Sequence, residues 1–205
     1  MTAEPPGQIW IAPMAELDPA LLEYLSLVLA DQFGGHPRFL PSIDPSVAYD
    51  VARGQTNAVR LLDVLSAALG QGLNGSGAAA PWHRVLGITD VDLFMPVLSF
   101  VFGQAQLGGE ACLVSIHRLD DAVYGLPANP DLLLARFEKE VLHELGHTFG
   151  HRHCHQNGCV MRYSASVEEI DLKSARFCEG CTDQLRLQTS VARQPDRERA
   201  TRGGN

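Results

Sequence analysis

Apolar residues recur at helical spacing in some stretches and at strand-like spacing in others, and the order in which the two periods follow one another lays out an α/β chain. Gln8 to Met14 alternates and reaches Pro13, which predicts a first strand. Asp18-Pro19 then supplies an N-cap and a proline for the first helical position. Leu21, Leu22, Leu25, Val28 and Leu29 line one face of that helix until Gly34-Gly35. A second helix is predicted over Thr56 to Leu69, with Val59, Leu62, Leu65 and Leu69 on its apolar face, stopped by Gly70. The Gly/Ser/Ala-rich run Gly70 to Ala80 follows as a mobile loop. From Arg84 the chain turns to short β-like runs: Val85 to Thr89, Ser99 to Phe102 and Ala111 to Ile116, the last two joined across Gly108-Gly109 as a hairpin. Asn129-Pro130 opens the longest helix, whose stripe of Leu133, Leu134, Phe137, Val141, Leu142 and Leu145 runs until Gly150. A last helix is predicted from about Thr182 to Val191, and the polar residues 194–205 read as a disordered tail.

A chain of 205 residues with 45% hydrophobic and 20% charged residues is long enough to bury one sizeable core. The organisation expected is a single domain over 1–193, with an N-terminal subdomain 1–150 that ends in the long helix and a C-terminal subdomain 151–193. The net charge of -8 is opposite to what a phosphate backbone or an anionic membrane surface attracts, so no nucleic acid and no membrane partner is expected. The first residues have neither the basic nor the apolar region of a secretion signal, and the runs Leu21 to Ala30 and Leu93 to Phe102 fall short of the roughly 18 residues that span a bilayer. Five cysteines is an odd number, and four of them lie in close pairs between Cys154 and Cys181. That usage suits a metal in a reducing compartment better than a disulfide framework, and a cytoplasmic location is expected.

The chemistry is concentrated on the long helix, in His143-Glu144-Leu145-Gly146-His147. Residues i and i+4 share one helical face, so His143 and His147 can bind one Zn²⁺ while Glu144 reaches water beside it. Two residues compete for the third ligand position. His151 would continue the series, but on an unbroken helix it lies about 12 Å along the axis from His143, too far for one ion. Gly150 can adopt a positive φ, end the helix and swing His153 back under the metal, which favours His153 and leaves His151 at the surface. A downstream glutamate such as Glu168 stays open as a further alternative. Cys154, Cys159, Cys178 and Cys181 form two short-spaced pairs, the donor set of a closed structural zinc site. Because Cys154 follows His153 directly, that second zinc is expected to stiffen the loop presenting the third catalytic ligand. Cys112, alone in a β-like run, reads as a small core hydrophobe.

The pattern H-E-x-x-H-x-x-G-x-x-H, followed directly by Cys154, then Cys159-Val160-Met161 and a closing C-x-x-C, resembles the archaemetzincins, a family of metzincin-type zinc metalloproteases. Leu86 to Leu93, Ser99 to Gly103 and Ser115 to Leu119 also resemble that family, so the likeness covers roughly residues 85–181. It implies a zincin fold: a twisted, mostly parallel sheet with one antiparallel edge strand, an active-site helix and a small zinc-bound C-terminal subdomain. It also implies His143, His147 and His153 on a catalytic zinc, Glu144 as general base, Met161 beneath the metal, and the four paired cysteines on a structural zinc, two ions per chain. Tyr163, two residues after Met161, stands where some metzincins carry a tyrosine near the metal. His117 and His83 are weighed as substrate neighbours and read as partly buried hydrogen-bonding residues. The activity implied is hydrolysis of peptide bonds in a peptide or protein substrate by a zinc-activated water, with Ala111 to Ile116 as the sheet edge that receives the substrate strand. The alternative is a zinc-stabilised peptide-binding or adaptor protein with little or no turnover.

Overall fold

The computed structural model describes residues 7–73 and 80–191. In chain order its elements are β1 (Gln8–Pro13), α1 (Pro19–Phe33), β2 (Arg38–Phe39), β3 (Tyr49–Asp50), β4 (Gln55–Asn57), α2 (Ala58–Leu73), β5 (His83–Thr89), β6 (Leu93–Phe94), β7 (Gly103–Ala105) and β8 (Ala111–Ser115). They are followed by α3 (Pro130–Thr148), α4 (Val167–Leu172) and α5 (Glu179–Val191). Local chemistry sets several boundaries. Asp18 caps α1 by accepting from the Ala20 N–H at 2.9 Å, Gly34 closes that helix at φ 81°, and Asn129 caps α3 by accepting from the Leu132 N–H at 3.1 Å.

The main sheet runs β2-β1-β5-β8-β7, parallel throughout except for the antiparallel last strand. Side chains alternate across it. Ile9, Ile11, Leu86, Ile88, Cys112 and Val114 join a core with α1 and α3 on one face. Trp10, Ala12, Val85, Ala111 and Leu113 join a second core under α2 on the other. Both faces are therefore covered, as parallel strands require. Strands β3, β4 and β6 form a small second sheet. Among the described residues, no helix is long and apolar enough to cross a membrane.

Four local expectations are corrected. Gly70 does not stop α2, which runs on to Leu73: a glycine inside a helix costs only about 1 kcal/mol, and Gly72 leaves space that Leu40 fills. Of the predicted loop, residues 74–79 lie outside the described residues, as does the tail 194–205. Ser99 to Phe102 is not a strand, because Arg53 donates to the carbonyls of Leu98 and Ser99 and Gln55 to that of Ser99, leaving only a bridge from Val101 to Leu93. The hairpin is made by β7 and β8, so Ala111 to Ile116 is not the edge; β7 covers it and is itself the edge strand. The final helix begins at Glu179, three residues before the expected Thr182.

The fit of α2 on the sheet depends on a missing side chain. A Cβ at Gly87 would stand 2.8 Å from Leu65 Cδ1 and 3.2 Å from Leu113 Cβ. Gly87→Val is expected to destabilise the fold by about 1–3 kcal/mol, read as a lower urea midpoint at unchanged slope. An unshifted midpoint would show that α2 is free to move off the sheet.

Candidate metal centres

The buried half of α3 carries His143 and His147 one turn apart, and each ring is held from behind. Nδ1 of His143 donates to Val160 O at 2.8 Å, and Nδ1 of His147 donates to His151 O at 2.7 Å. A carbonyl only accepts, so the proton of each neutral ring is at Nδ1 and each Nε2 presents a bare lone pair. These two Nε2 atoms lie 3.1 Å apart. Two lone pairs facing each other with no proton between them repel, unless a cation sits there; two nitrogens on one tetrahedral zinc would be about 3.3 Å apart. Burial pushes all three imidazoles of His143, His147 and His153 below their usual range, His143 furthest, which keeps them in the metal-binding form.

His153 reaches this site because the helix ends. Gly150 has φ 83°, and the chain doubles back so that the His153 ring centroid is 5.3 Å from that of His143 and 5.0 Å from that of His147. One nitrogen from each of the three lies within 4.8 Å of the others. His151 is not a surface residue: it is 1% exposed, with Nδ1 3.1 Å from Gly146 O and Nε2 2.8 Å from Cys181 O. The reason is tertiary, since Cys181 is thirty residues further along and invisible to local spacing. Glu168 is exposed in the first turn of α4 and is not part of the group.

The sulfurs of Cys154, Cys159, Cys178 and Cys181 also lie within 4.8 Å of one another, with Cys154 and Cys178 3.8 Å apart. That is far beyond the roughly 2.05 Å of a disulfide and matches the about 3.8 Å separation of thiolates on a tetrahedral zinc with 2.3 Å bonds. Backbone N–H groups of Gln156 and Cys178 point at Cys154 Sγ and Cys159 Sγ, each at 3.4 Å. Cys112 is fully buried in the main core, and burial pushes its thiol up.

The histidines open onto a cleft of about 790 Å³ whose walls include β7, Phe100, Glu140, Glu144, Tyr163 and Lys173. Glu144 is buried beside the three rings, and burial, with Glu140 one turn away, pushes its carboxyl well above the usual range. Met161 is fully buried against α3 at Gly146, where any side chain would fall on its sulfur. Tyr163 is 52% exposed at the rim, its ring 5.1 Å from that of His153. His83 pairs with Trp10 Nε1 at 3.4 Å, His117 begins a short turn after β8, and neither lines the cleft. Gly103 and Gly146 are site residues that the spacing of histidines and cysteines did not single out.

The sequence model of peptidase family M54 matches residues 42–187. The archaemetzincin of Methanocaldococcus jannaschii is 37% identical over 179 residues, covering 87% of this chain and 92% of that one. The archaemetzincin of Methanopyrus kandleri is 45% identical over 141 residues, 69% and 71% of the two chains. The crystal structure of the M. kandleri protein superposes with a TM-score of 0.73 at 34% identity, over 90% of this chain and 96% of that one. A zinc-dependent peptidase from Methanocorpusculum labreanum gives a TM-score of 0.78 at 29% identity, over 86% and 99%. The chain belongs to peptidase family M54, the archaemetzincins, and is a metallopeptidase of that zinc-dependent family.

Proposed function

We propose that this metallopeptidase cuts peptide bonds in the cleft above α3, with His143, His147 and His153 holding a catalytic zinc and Glu144 as general base. Cys154, Cys159, Cys178 and Cys181 hold a second, structural zinc, giving two ions per chain. The observation that carries the reading is the pair of bare Nε2 atoms 3.1 Å apart at the floor of an open cleft, with a carboxylate beside them. When bound there, zinc supplies Lewis acidity, which brings the acidity of water near pH 7 and polarises a carbonyl. Glu144 accepts the proton of the attacking water and passes it to the leaving amine. Met161 packs against Gly146 beneath the site where the three imidazoles would hold the metal, Gly150 sets the turn that presents His153, and Tyr163 lines the cleft with its ring beside that of His153. The outer edge of β7 is unpaired in the sheet and lines the cleft, so an extended substrate gains backbone hydrogen bonds there. On this reading residues 1–193 form one domain, with 151–193 as a metal-stiffened subdomain, and the use of free thiols as ligands suits a reducing compartment such as the cytoplasm.

Elemental analysis under reducing conditions is expected to give a zinc-to-protein ratio near two for the wild type and near one for His147→Ala. A ratio near one in both would leave only the cysteine site occupied and remove the catalytic ion from this account. Glu144→Gln should keep both ions while peptide turnover falls by about 10²- to 10⁴-fold; turnover at the wild-type rate would end the assignment of Glu144 as base.

Glu144 fits only because Gly103 on the edge strand has no side chain: a Cβ there would stand 2.6 Å from Glu144 Cγ and 2.8 Å from Oε1. Gly103→Ala is expected to lower kcat by about 10- to 100-fold with zinc content unchanged. An unaltered kcat would mean that the position of this carboxylate is not critical.

A further inference from the structure

The cleft contains a polar recess that the hydrolytic machinery leaves unused. Glu140 lies one turn before Glu144 on α3 and is 4% exposed; Lys173, just after α4, is 3% exposed and brings Nζ to 2.8 Å from Glu140 Oε1. That ion pair occupies Oε1, and Glu140 Oε2 has no hydrogen-bond partner among the described residues. The other described partner of Nζ is Arg162 O at 3.4 Å, longer than a good N–H···O bond. Ser164 Oγ is buried and has no partner among the described residues. All three side chains line the same cleft as His143 and Glu144.

A buried ion pair recovers its desolvation cost only when its remaining lone pairs and protons are satisfied. The neighbouring pair meets that condition. Arg136, one turn further back on α3, forks onto Asp171 with two bonds of 2.8 Å and also donates to Asp121 and to Leu119 O. Arg136 and Asp171 therefore already tie α3 to the segment that carries Lys173, without facing the cleft. The inner pair occupies Glu140 Oε1 but leaves Glu140 Oε2, an ammonium proton and the Ser164 hydroxyl without a good partner among the described residues.

We propose that Glu140, Lys173 and Ser164 form a specificity recess for a carboxamide side chain, glutamine or asparagine, next to the scissile bond; this rests on the peptidase reading of the cleft. An amide oxygen accepts from Lys173 and Ser164, and the amide N–H₂ donates to Glu140 Oε2. A carboxylate would set a second anion against Glu140, and an apolar side chain would seal all three groups off unsatisfied. Sites built to hydrogen-bond a substrate discriminate strongly against analogues that cannot do so.

The test is binding of a fluorescent peptide set to zinc-loaded Glu144→Gln protein, with one position occupied in turn by Gln, Glu, Leu or Lys and moved along an otherwise fixed frame. At one position the Gln peptide is expected to bind at least about tenfold tighter than its Leu and Glu counterparts. Adding Lys173→Met should shrink that preference to less than about threefold. Removing one partner strands a buried charge, so Glu140→Leu/Lys173→Met, an apolar replacement of the whole pair, is measured alongside and is expected to favour Leu. Tighter binding of Leu by the parent, or a Gln preference that survives either variant, overturns the recess. Turnover by the wild type is scored separately, so failure to cut any peptide would count against the peptidase reading while the binding data still judge the recess.

Discussion

The hydrogen bonds from His143 Nδ1 to Val160 O and from His147 Nδ1 to His151 O are what the rest of the site depends on. Each binds a ring on α3 to backbone that the chain has not yet reached when the helix is laid down. To supply those carbonyls the chain must stop its helix, turn through Gly150 and pass back beneath α3 as far as Val160. The same return path brings His153 over the two rings and places Met161 against Gly146. Fixing the tautomers, presenting the third nitrogen and filling the space under the helix are thus one structural event. An i, i+4 histidine pair alone would leave both rings free to rotate and to take up the other tautomer.

The second cluster of donors holds that return path in place. Cys154 is adjacent to His153, and its N–H donates to Met161 O at 2.9 Å, so the first thiol is bonded into the segment beneath the helix. His151 adds a strut from the other direction, its ring wedged between Gly146 O on α3 and Cys181 O at the second cysteine pair. Displacement of the cysteine cluster would therefore be felt at Gly146, between the two histidines, as well as at His153. Both connections run through backbone carbonyls and buried rings, which tolerate little play.

The sequence was most legible where the determining interactions are local. Capping at Asp18 and Asn129, the apolar stripes of α1 and α3, and the positive φ of Gly150 are all set within a few residues, and the two donor clusters follow from short spacings. Legibility failed where partners are distant. Ser99 to Phe102 has strand composition, yet side chains from Arg53 and Gln55 occupy its carbonyls. His151 sits among polar neighbours and looks exposed until Cys181 is placed opposite it. Glu140 and Lys173 resemble any charged residues of a solvated face, and only the packing of α4 against α3 reveals that they meet in a cleft. The family likeness shows the same gradient: it was readable over about 85–181, where the ligands lie, while the matching region begins at residue 42, in helix and strand text whose constraints are packing rather than chemistry.

The structural zinc proposed for the four cysteines would also answer a problem of size in the last part of the chain. Beyond α3 the described chain has few buried apolar side chains of its own, chiefly Val160, Met161, Val167, Ile170 and Leu185, and all belong to the core shared with α1 and α3. A segment this short cannot repay its ordering entropy with a separate hydrophobic core. Four thiols already brought to one point would, with a metal bound, replace such a core with a few strong directional bonds, because binding free energy in a site absent from the unfolded chain becomes folding free energy. The apolar surface that remains is then free to lie against α3. A segment too small to fold around its own interior can in this way hold catalytic side chains to the tolerance that hydrolysis demands.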